Sequence, residues 1–353
     1  MACAGTLGVD PFNAEFDSLF AFGIDPDSSD LPSDEPEDWP GLEETYEYCR
    51  EVRRRVDGVI DLVPGDVAGV CIEHRLMHAE TLCYLLQNLP AERMAPRCGP
   101  ETARSAPARG AGHDGWAVIP AGEARLGRSR GTGFGWDNEF EGLSVGVPEF
   151  ECSKHKVTNG EYLAHVEQGG SRPHYWRWNG RRWMLRTMFG EVPLPLDWPV
   201  YVTHEQATRF AVGAGASLPS QAQWDRASYG SPDGSPRRYP WGDAGPSAGR
   251  ANADFRSWDP CAVDATPEGD SAYGVSQAVG NGWEWTSDLF RPFPGFEAHP
   301  LYPGYSADFF DGQHYVMKGG SPRTARPLLR RTFRNWFRAD YPYMYATIRL
   351  VRG

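Results

Sequence analysis

Gly280-Asn281-Gly282-Trp283-Glu284-Trp285-Thr286 is the stretch on which the reading of the second half of the chain turns. A turn of this kind leading into two tryptophans is a structural device: both indoles should be buried with their N–H groups satisfied. Six further stretches lie around it in order. Upstream run Ile119-Pro120-Ala121-Gly122-Glu123-Ala124-Arg125-Leu126-Gly127, Lys156-Val157-Thr158-Asn159-Gly160-Glu161-Tyr162, Ser217-Leu218-Pro219-Ser220-Gln221-Ala222-Gln223-Trp224 and Tyr239-Pro240-Trp241-Gly242. Downstream run Lys318-Gly319-Gly320-Ser321 and Ile348-Arg349-Leu350. From Trp116 onward short β-like runs alternate with Gly, Pro and Asn punctuation, and helical spacing shows in Thr158 to Gln168, Glu205 to Val212 and Ser220 to Tyr229. That texture predicts an irregular α+β domain over residues 114–353. No repeat at a fixed period shows, which argues against solenoids and propellers.

At 353 residues the chain is long enough for about two domains with ordinary cores. Its 13 Trp, 15 Tyr and 17 Phe suit rigid pockets lined by rings. A formal net charge of -12 argues against nucleic acid and anionic membranes as partners, leaving small molecules. No stretch approaches the ~20 apolar residues of a membrane span, and the first residues carry neither a basic nor an apolar signal region, so the expected location is cytoplasmic. The 7 cysteines are scattered, without a C-x-x-C pair, as suits reduced thiols.

Residues 1–94 read as a helical unit. An acidic loop, Asp25 to Asp38, precedes a helix that begins near Pro40-Gly41-Leu42-Glu43-Glu44 and carries Tyr48, Val52, Val56, Val59 and Ile60. A further helix is expected near Ala14 to Phe22. Pro64-Gly65-Asp66 then breaks the chain and starts a helix containing Glu73-His74-Arg75-Leu76-Met77-His78-Ala79-Glu80, the one place where two histidines stand at metal-holding spacing. Four residues make roughly one turn, so His74 and His78 share a face. Thr81 to Leu89, with Leu82, Tyr84, Leu85, Leu86 and Leu89, continues the helix, so the imidazoles should point into a bundle or a domain interface. Two readings stand: the pair satisfies a packed interior, or it supplies two ligands to a metal. Residues 95–113, rich in Ala, Pro, Gly and Arg, read as a linker.

In the order of its seven stretches, the second part resembles the formylglycine-generating-enzyme and sulfatase-modifying-factor fold, a variant of the C-type lectin fold. Formylglycine formation needs a pair of copper-binding cysteines near the C-terminus, and no cysteine follows Cys261, so that chemistry is excluded. Joined to an upstream unit carrying His-x-x-x-His-x-Glu, it resembles the EgtB-like sulfoxide synthases. In these a DinB-like helical bundle and a lectin-like domain together hold a mononuclear iron. Phe293-Pro294-Gly295-Phe296, Leu301 to Phe310, Phe333-Arg334-Asn335-Trp336-Phe337-Arg338 and Tyr341-Pro342-Tyr343 carry the likeness to this branch.

The resemblance implies an Fe(II)- and O₂-dependent oxidoreductase that joins a thiol to the imidazole of hercynine or histidine, as in ergothioneine biosynthesis. Its iron ligands would be His74 and His78 with a third histidine from an earlier helix. No histidine precedes His74, so the expectation is a DinB-like bundle lacking its first helix or an altered iron site, with an N-terminal carboxylate as a surrogate ligand. The resemblance casts Tyr302 as catalytic acid beside Tyr305, although both also fit as core or rim tyrosines. Asn335 and Trp336 match residues that contact the imidazole substrate. Phe337 and Tyr341 stand where mycobacterial-type enzymes have an aspartate and an arginine that hold a γ-glutamyl thiol, and Met77 replaces a glutamine. Free cysteine is therefore the favoured donor, with Arg330, Arg331, Arg334 and Arg338 nearby to meet a carboxylate. Two alternatives remain open: a non-catalytic small-molecule-binding member that has lost its iron, and an oxygenase with other substrates.

Overall fold

The computed structural model describes residues 12–20, 36–94 and 115–353. The linker expected over 95–113 lies outside them, as do Phe22 and most of the acidic loop. The first part contributes α1 (Ala14–Leu19), α2 (Leu42–Asp57) and α3 (Gly65–Gln87). Val59 and Ile60 fall outside α2, because Gly58 caps it and the chain tightens into a 3-10 turn over Ile60–Leu62. Phe12, Phe16 and Phe20 gather around Tyr48 of α2 at ring separations of 5.3, 5.3 and 5.5 Å. No residue of α1 or α2 is buried. The third helix behaves differently, docking along its length on the second part.

That second part is built from four small sheets. β1 (Trp116–Ile119), β4 (Phe150–Ser153) and β12 (Val351–Arg352) form one, ordered β1-β4-β12, which ties its two ends together. The largest is ordered β10-β9-β8-β11, from β8 (Trp283–Leu289), β9 (His314–Lys318), β10 (Asn335–Arg338) and β11 (Ala346–Thr347). β2 (Gly122–Leu126) pairs with β3 (Leu143–Val147), and β5 (Trp176–Trp178), β6 (Trp183–Arg186) and β7 (Glu191–Pro193) form a meander. Three helices, α4 (Asn159–Glu167), α5 (His204–Gly213) and α6 (Gln221–Tyr229), begin at capping boxes. Thr158 with Glu161, Thr203 with Gln206 and Ser220 with Gln223 each satisfy two backbone N–H groups of the first turn.

The quoted stretches converge on one carboxylate. Glu284, fully buried, accepts from Lys156 Nζ at 2.7 Å, from Arg349 Nη2 at 2.6 Å and from the Trp224 indole at 2.7 Å. Four of the seven stretches thus meet at a single side chain. Replacing Glu284 would strand Lys156 and Arg349 as buried cations without a counter-charge, and removing any partner would take a hydrogen bond from the buried carboxylate, so the residue types are tightly prescribed there. Both flanking indoles are buried, Trp285 donating to Val202 O at 2.9 Å and Trp283 donating across to Glu80 of α3 at 2.9 Å. Among the described residues no helix is long and apolar enough to cross a membrane.

Candidate functional site

The inward side of α3 is polar at every seventh position. Glu73, Glu80 and Gln87 are spaced by nearly two full turns each, so they stack along one face, and all three are buried. Glu73 takes the Trp136 indole N–H at 3.0 Å and two N–H groups of Arg330 at 2.7 and 2.9 Å, while the same guanidinium also holds Glu139. Glu80 accepts from Trp283, from Ser321 Oγ at 2.5 Å and from Thr324 Oγ1 at 2.7 Å. Gln87 Nε2 donates to Arg186 O at 2.9 Å, and its Oε1 accepts from Arg323 and Tyr345. Burial raises the carboxyl pKa of both glutamates above the ordinary range. At Gly69 the helix backbone lies flat on the Phe134 ring; a Cβ there would fall 2.4 Å from it. These contacts fix the helix in position and rotation.

His74 and His78 therefore project from the flank of a clamped helix. Their Nε2 atoms stand 2.9 Å apart and their rings meet at 85°. Burial, with His78 adding, lowers the His74 pKa to about 3, and burial lowers His78 as well. Both imidazoles are thus held neutral, the form that ligates metals. Two nitrogens bound to one ion at ~2.1 Å and at right angles to each other stand about 3 Å apart, so the pair fits two adjacent coordination positions. Among the described residues no group of three or more His, Cys, Asp and Glu completes such a site. The other described histidines are engaged elsewhere: His174 with Asn88, His204 with Thr286 O, His314 with Asp311, His155 with Val263 O, His165 against Tyr162, and His299 against Trp136.

The two tyrosines part company. Tyr302 sets its ring perpendicular to that of His74 at 6.2 Å between centroids. Tyr305 belongs to a one-turn helix, α7 (Gly304–Ala307). Its ring stacks on Trp136 at 3.8 Å, and its hydroxyl donates to Met77 Sδ at 3.3 Å. Met77 thus anchors a tyrosine. Trp336 meets Tyr305 edge-on at 5.3 Å and stacks on Phe290 at 4.1 Å.

Strand pleating separates residues that adjoin in sequence. Along β10, Asn335 and Phe337 face one way and Trp336 and Arg338 the other, so the amide and the indole line different walls. Phe337 stacks on Tyr341 at 4.8 Å, and Tyr341 meets Tyr84 of α3 at 6.2 Å. Three of the four arginines expected near a substrate carboxylate are used by the fold. Arg330 joins Glu73 to Glu139, Arg331 pairs with Asp225 at 3.4 Å, and Arg334 is buried with donors on Gln221, Asn138 O and Arg291 O. Arg338 is exposed at the end of β10. The heptad-spaced anchors Glu73, Glu80 and Gln87 escaped sequence reasoning, although polar residues every seventh place on an apolar helix were a usable signal.

Residues 102–353 match the family described as the sulfatase-modifying factor enzyme 1-like domain. The hercynine oxygenase of Mycolicibacterium thermoresistibile is 36% identical over 334 residues, covering 86% of this chain and 73% of that protein. The chain belongs to the EgtB-like family. Ergothioneine biosynthesis protein 1 of Neurospora crassa is 28% identical over 450 residues, and the match takes in 96% of this chain and 50% of that one. The structure of PvdO from Pseudomonas aeruginosa superposes with a TM-score of 0.50 at 18% identity, over 67% of this chain and 94% of the other, a likeness of fold alone. In the family frame, the sulfatase-modifying-factor-like part is the one that Glu284 ties together, and the His74–His78 pair lies on the helix that docks on it.

Proposed function

We propose that the chain is an iron(II)- and O₂-dependent sulfoxide synthase that forms a C–S bond between a thiol, with cysteine favoured over γ-glutamylcysteine, and the imidazole of hercynine or histidine. The observation that carries this reading is the neutral His74–His78 pair with the Tyr302 ring beside it, in a chain whose relatives bear the names hercynine oxygenase and ergothioneine biosynthesis protein. His74 and His78 would hold the iron, which when bound supplies the activation of O₂. Tyr302 holds a phenolic proton next to His74, the position from which an acid can act. Trp336, edge-on to Tyr305, offers an aromatic wall that suits a flat ring or a trimethylated amine, while Phe337 and Tyr341 stack on the other face of β10. The shortage of a third ligand among the described residues favours a second reading, a small-molecule-binding member without catalysis.

Anaerobic reconstitution with Fe(II), followed by metal analysis and by an O₂-consumption assay with hercynine and cysteine, separates the two. Substoichiometric iron that falls further in His74→Ala and His78→Ala, with C–S product by mass spectrometry, is the expected result. Full iron loading indifferent to both substitutions would refute the ligand assignment, and hercynine binding without O₂ uptake would favour the second reading.

A further inference from the structure

At the far end of α3 from the histidines, a small cavity of about 20 Å³ lies between the helix and the second part, lined among others by Gln87, Arg186, Trp258, Asp259, Arg323 and Tyr345. Two arginines reach it, and both are more than nine-tenths buried. Arg323 spends its Nη1 on Gln87 and its Nη2 on Trp258 O, and its guanidinium lies 4.3 Å over the Tyr345 ring. Arg186 spends Nη2 on Leu89 O. That leaves Arg323 Nε and Arg186 Nη1 buried without an acceptor. Neither guanidinium has a carboxylate in ion-pair range among the described residues; the ion pairs of the fold lie elsewhere. Buried donors of this kind call for an acceptor, since a guanidinium N–H taken out of water and left unbonded is strongly unfavourable.

Asp259 also faces the cavity, a buried carboxyl whose pKa burial raises and Arg323 draws back down. Glu80, whose carboxyl also senses the Arg323 charge, is already occupied by Trp283, Ser321 and Thr324, so Arg323 Nε and Arg186 Nη1 remain two buried donors without an acceptor. A cavity of this size admits a water-sized species and is far too small for a drug-sized ligand or a second substrate, whose pockets run ~300–1,000 Å³. We infer that this cavity is a binding site for one small monovalent anion, of halide or formate size, held by Arg186 Nη1 and Arg323 Nε. Such an ion accepts from Arg323, whose Nη1 holds Gln87, and from Arg186, whose Nη2 holds Leu89 O, and so locks the C-terminal end of α3 to the second part.

The test uses the whole chain crystallised with bromide in place of chloride, read by anomalous diffraction, together with thermal melting in chloride, formate or gluconate at equal ionic strength. An anomalous peak between the two arginines and a saturable rise in Tm with chloride over gluconate are expected, with the rise lost in Arg186→Met. Formate matching chloride would extend the site to carboxylates, and formate without effect would restrict it to halides; both support an anion site. An ordered water in place of bromide would overturn the proposal. So would chloride and gluconate giving equal Tm in the unsubstituted chain, or a chloride rise undiminished in Arg186→Met. Should Arg323→Met fail to fold, the Arg186 variant and the bromide position still decide the matter.

Discussion

Glu80 Oε1 accepts the indole N–H of Trp283 at 2.9 Å across 203 positions of sequence, which makes one carboxyl group of the histidine helix a structural member of the core of the second part. Ser321 and Thr324 donate to the same carboxyl group, so three buried donors depend on it. Glu80→Ala orphans all three and should cost about 2–4 kcal/mol in chemical denaturation. Glu80→Gln keeps an acceptor for Trp283 and Ser321, and the Thr324 hydroxyl can turn to accept, so its loss should be under half as large. Equal losses in the two variants would show that the charge, not the hydrogen bonding, is what the site needs.

His204 gives a pH signature away from the candidate active site. Its ring stacks on Tyr315 at 3.7 Å, meets Trp285 edge-on at 5.4 Å and bonds Thr286 O through Nε2 at 3.1 Å. Burial lowers its pKa to about 4, against about 6.5 in an unfolded chain. Between those values the unfolded state carries the extra proton, so this residue's contribution is fully present above pH 6.5 and is lost as pH falls toward 4. From pH 7 to pH 5 the loss should be roughly 2 kcal/mol. His204→Gln retains a donor for Thr286 O and cannot titrate, so its stability should fall less over the same interval by that amount. Parallel pH dependence in the two proteins would place the proton elsewhere.

How much was legible beforehand follows from what each residue answers to. The seven stretches could be read because several of them meet at Glu284, where a buried charge cluster tolerates few substitutes. His74 and His78 could be read because their relation is local, one turn of helix. The partners of Glu73 and Glu80 could not, since Trp136, Arg330 and Trp283 lie far away in sequence, and glutamates on a helix ordinarily mean a solvated stripe. Leu82, Leu85, Leu86 and Leu89 misled in the other direction: they suggest a bundle interior, yet among the described residues they lie exposed while Tyr84 is buried. Arg330, Arg331 and Arg334 look like substrate cations only until their carboxylate and carbonyl partners are known. Asn335 and Trp336 are neighbours in the chain and strangers across the pleat.

Phe337 and Tyr341, stacked at 4.8 Å, carry the prediction on thiol choice. A stacked aromatic pair offers no ionic partner to a γ-glutamyl group, whose carboxylate and ammonium would be desolvated against rings. Free cysteine should therefore be consumed at least as well as γ-glutamylcysteine in a competition assay read by mass spectrometry. Phe337→Asp together with Tyr341→Arg should swing the ratio toward the γ-glutamyl donor by tenfold or more. A tenfold preference for γ-glutamylcysteine in the unsubstituted protein would defeat the argument.

Tyr302 and Tyr305 lie 5.6 Å apart, ring to ring, and their surroundings assign them different duties. Tyr302 stands against His74, whereas the Tyr305 hydroxyl is spent on Met77 Sδ and its ring on Trp136. Tyr302→Phe keeps the ring and deletes the O–H, so stability should hardly move. Proton delivery by a positioned side chain contributes ~10² to 10⁴ in rate, and C–S product formation should drop within that range while the thiol alone continues to be oxidised. Tyr305→Phe loses a weak O–H···S contact worth no more than about 1 kcal/mol and should leave the ratio of C–S product to oxidised thiol unchanged. The two variants are compared in one assay that counts both products. Equal loss of product in both, at constant ratio, would mean that the segment from Tyr302 to Tyr305 only packs the wall beside α3, and the proton would have to come from another group.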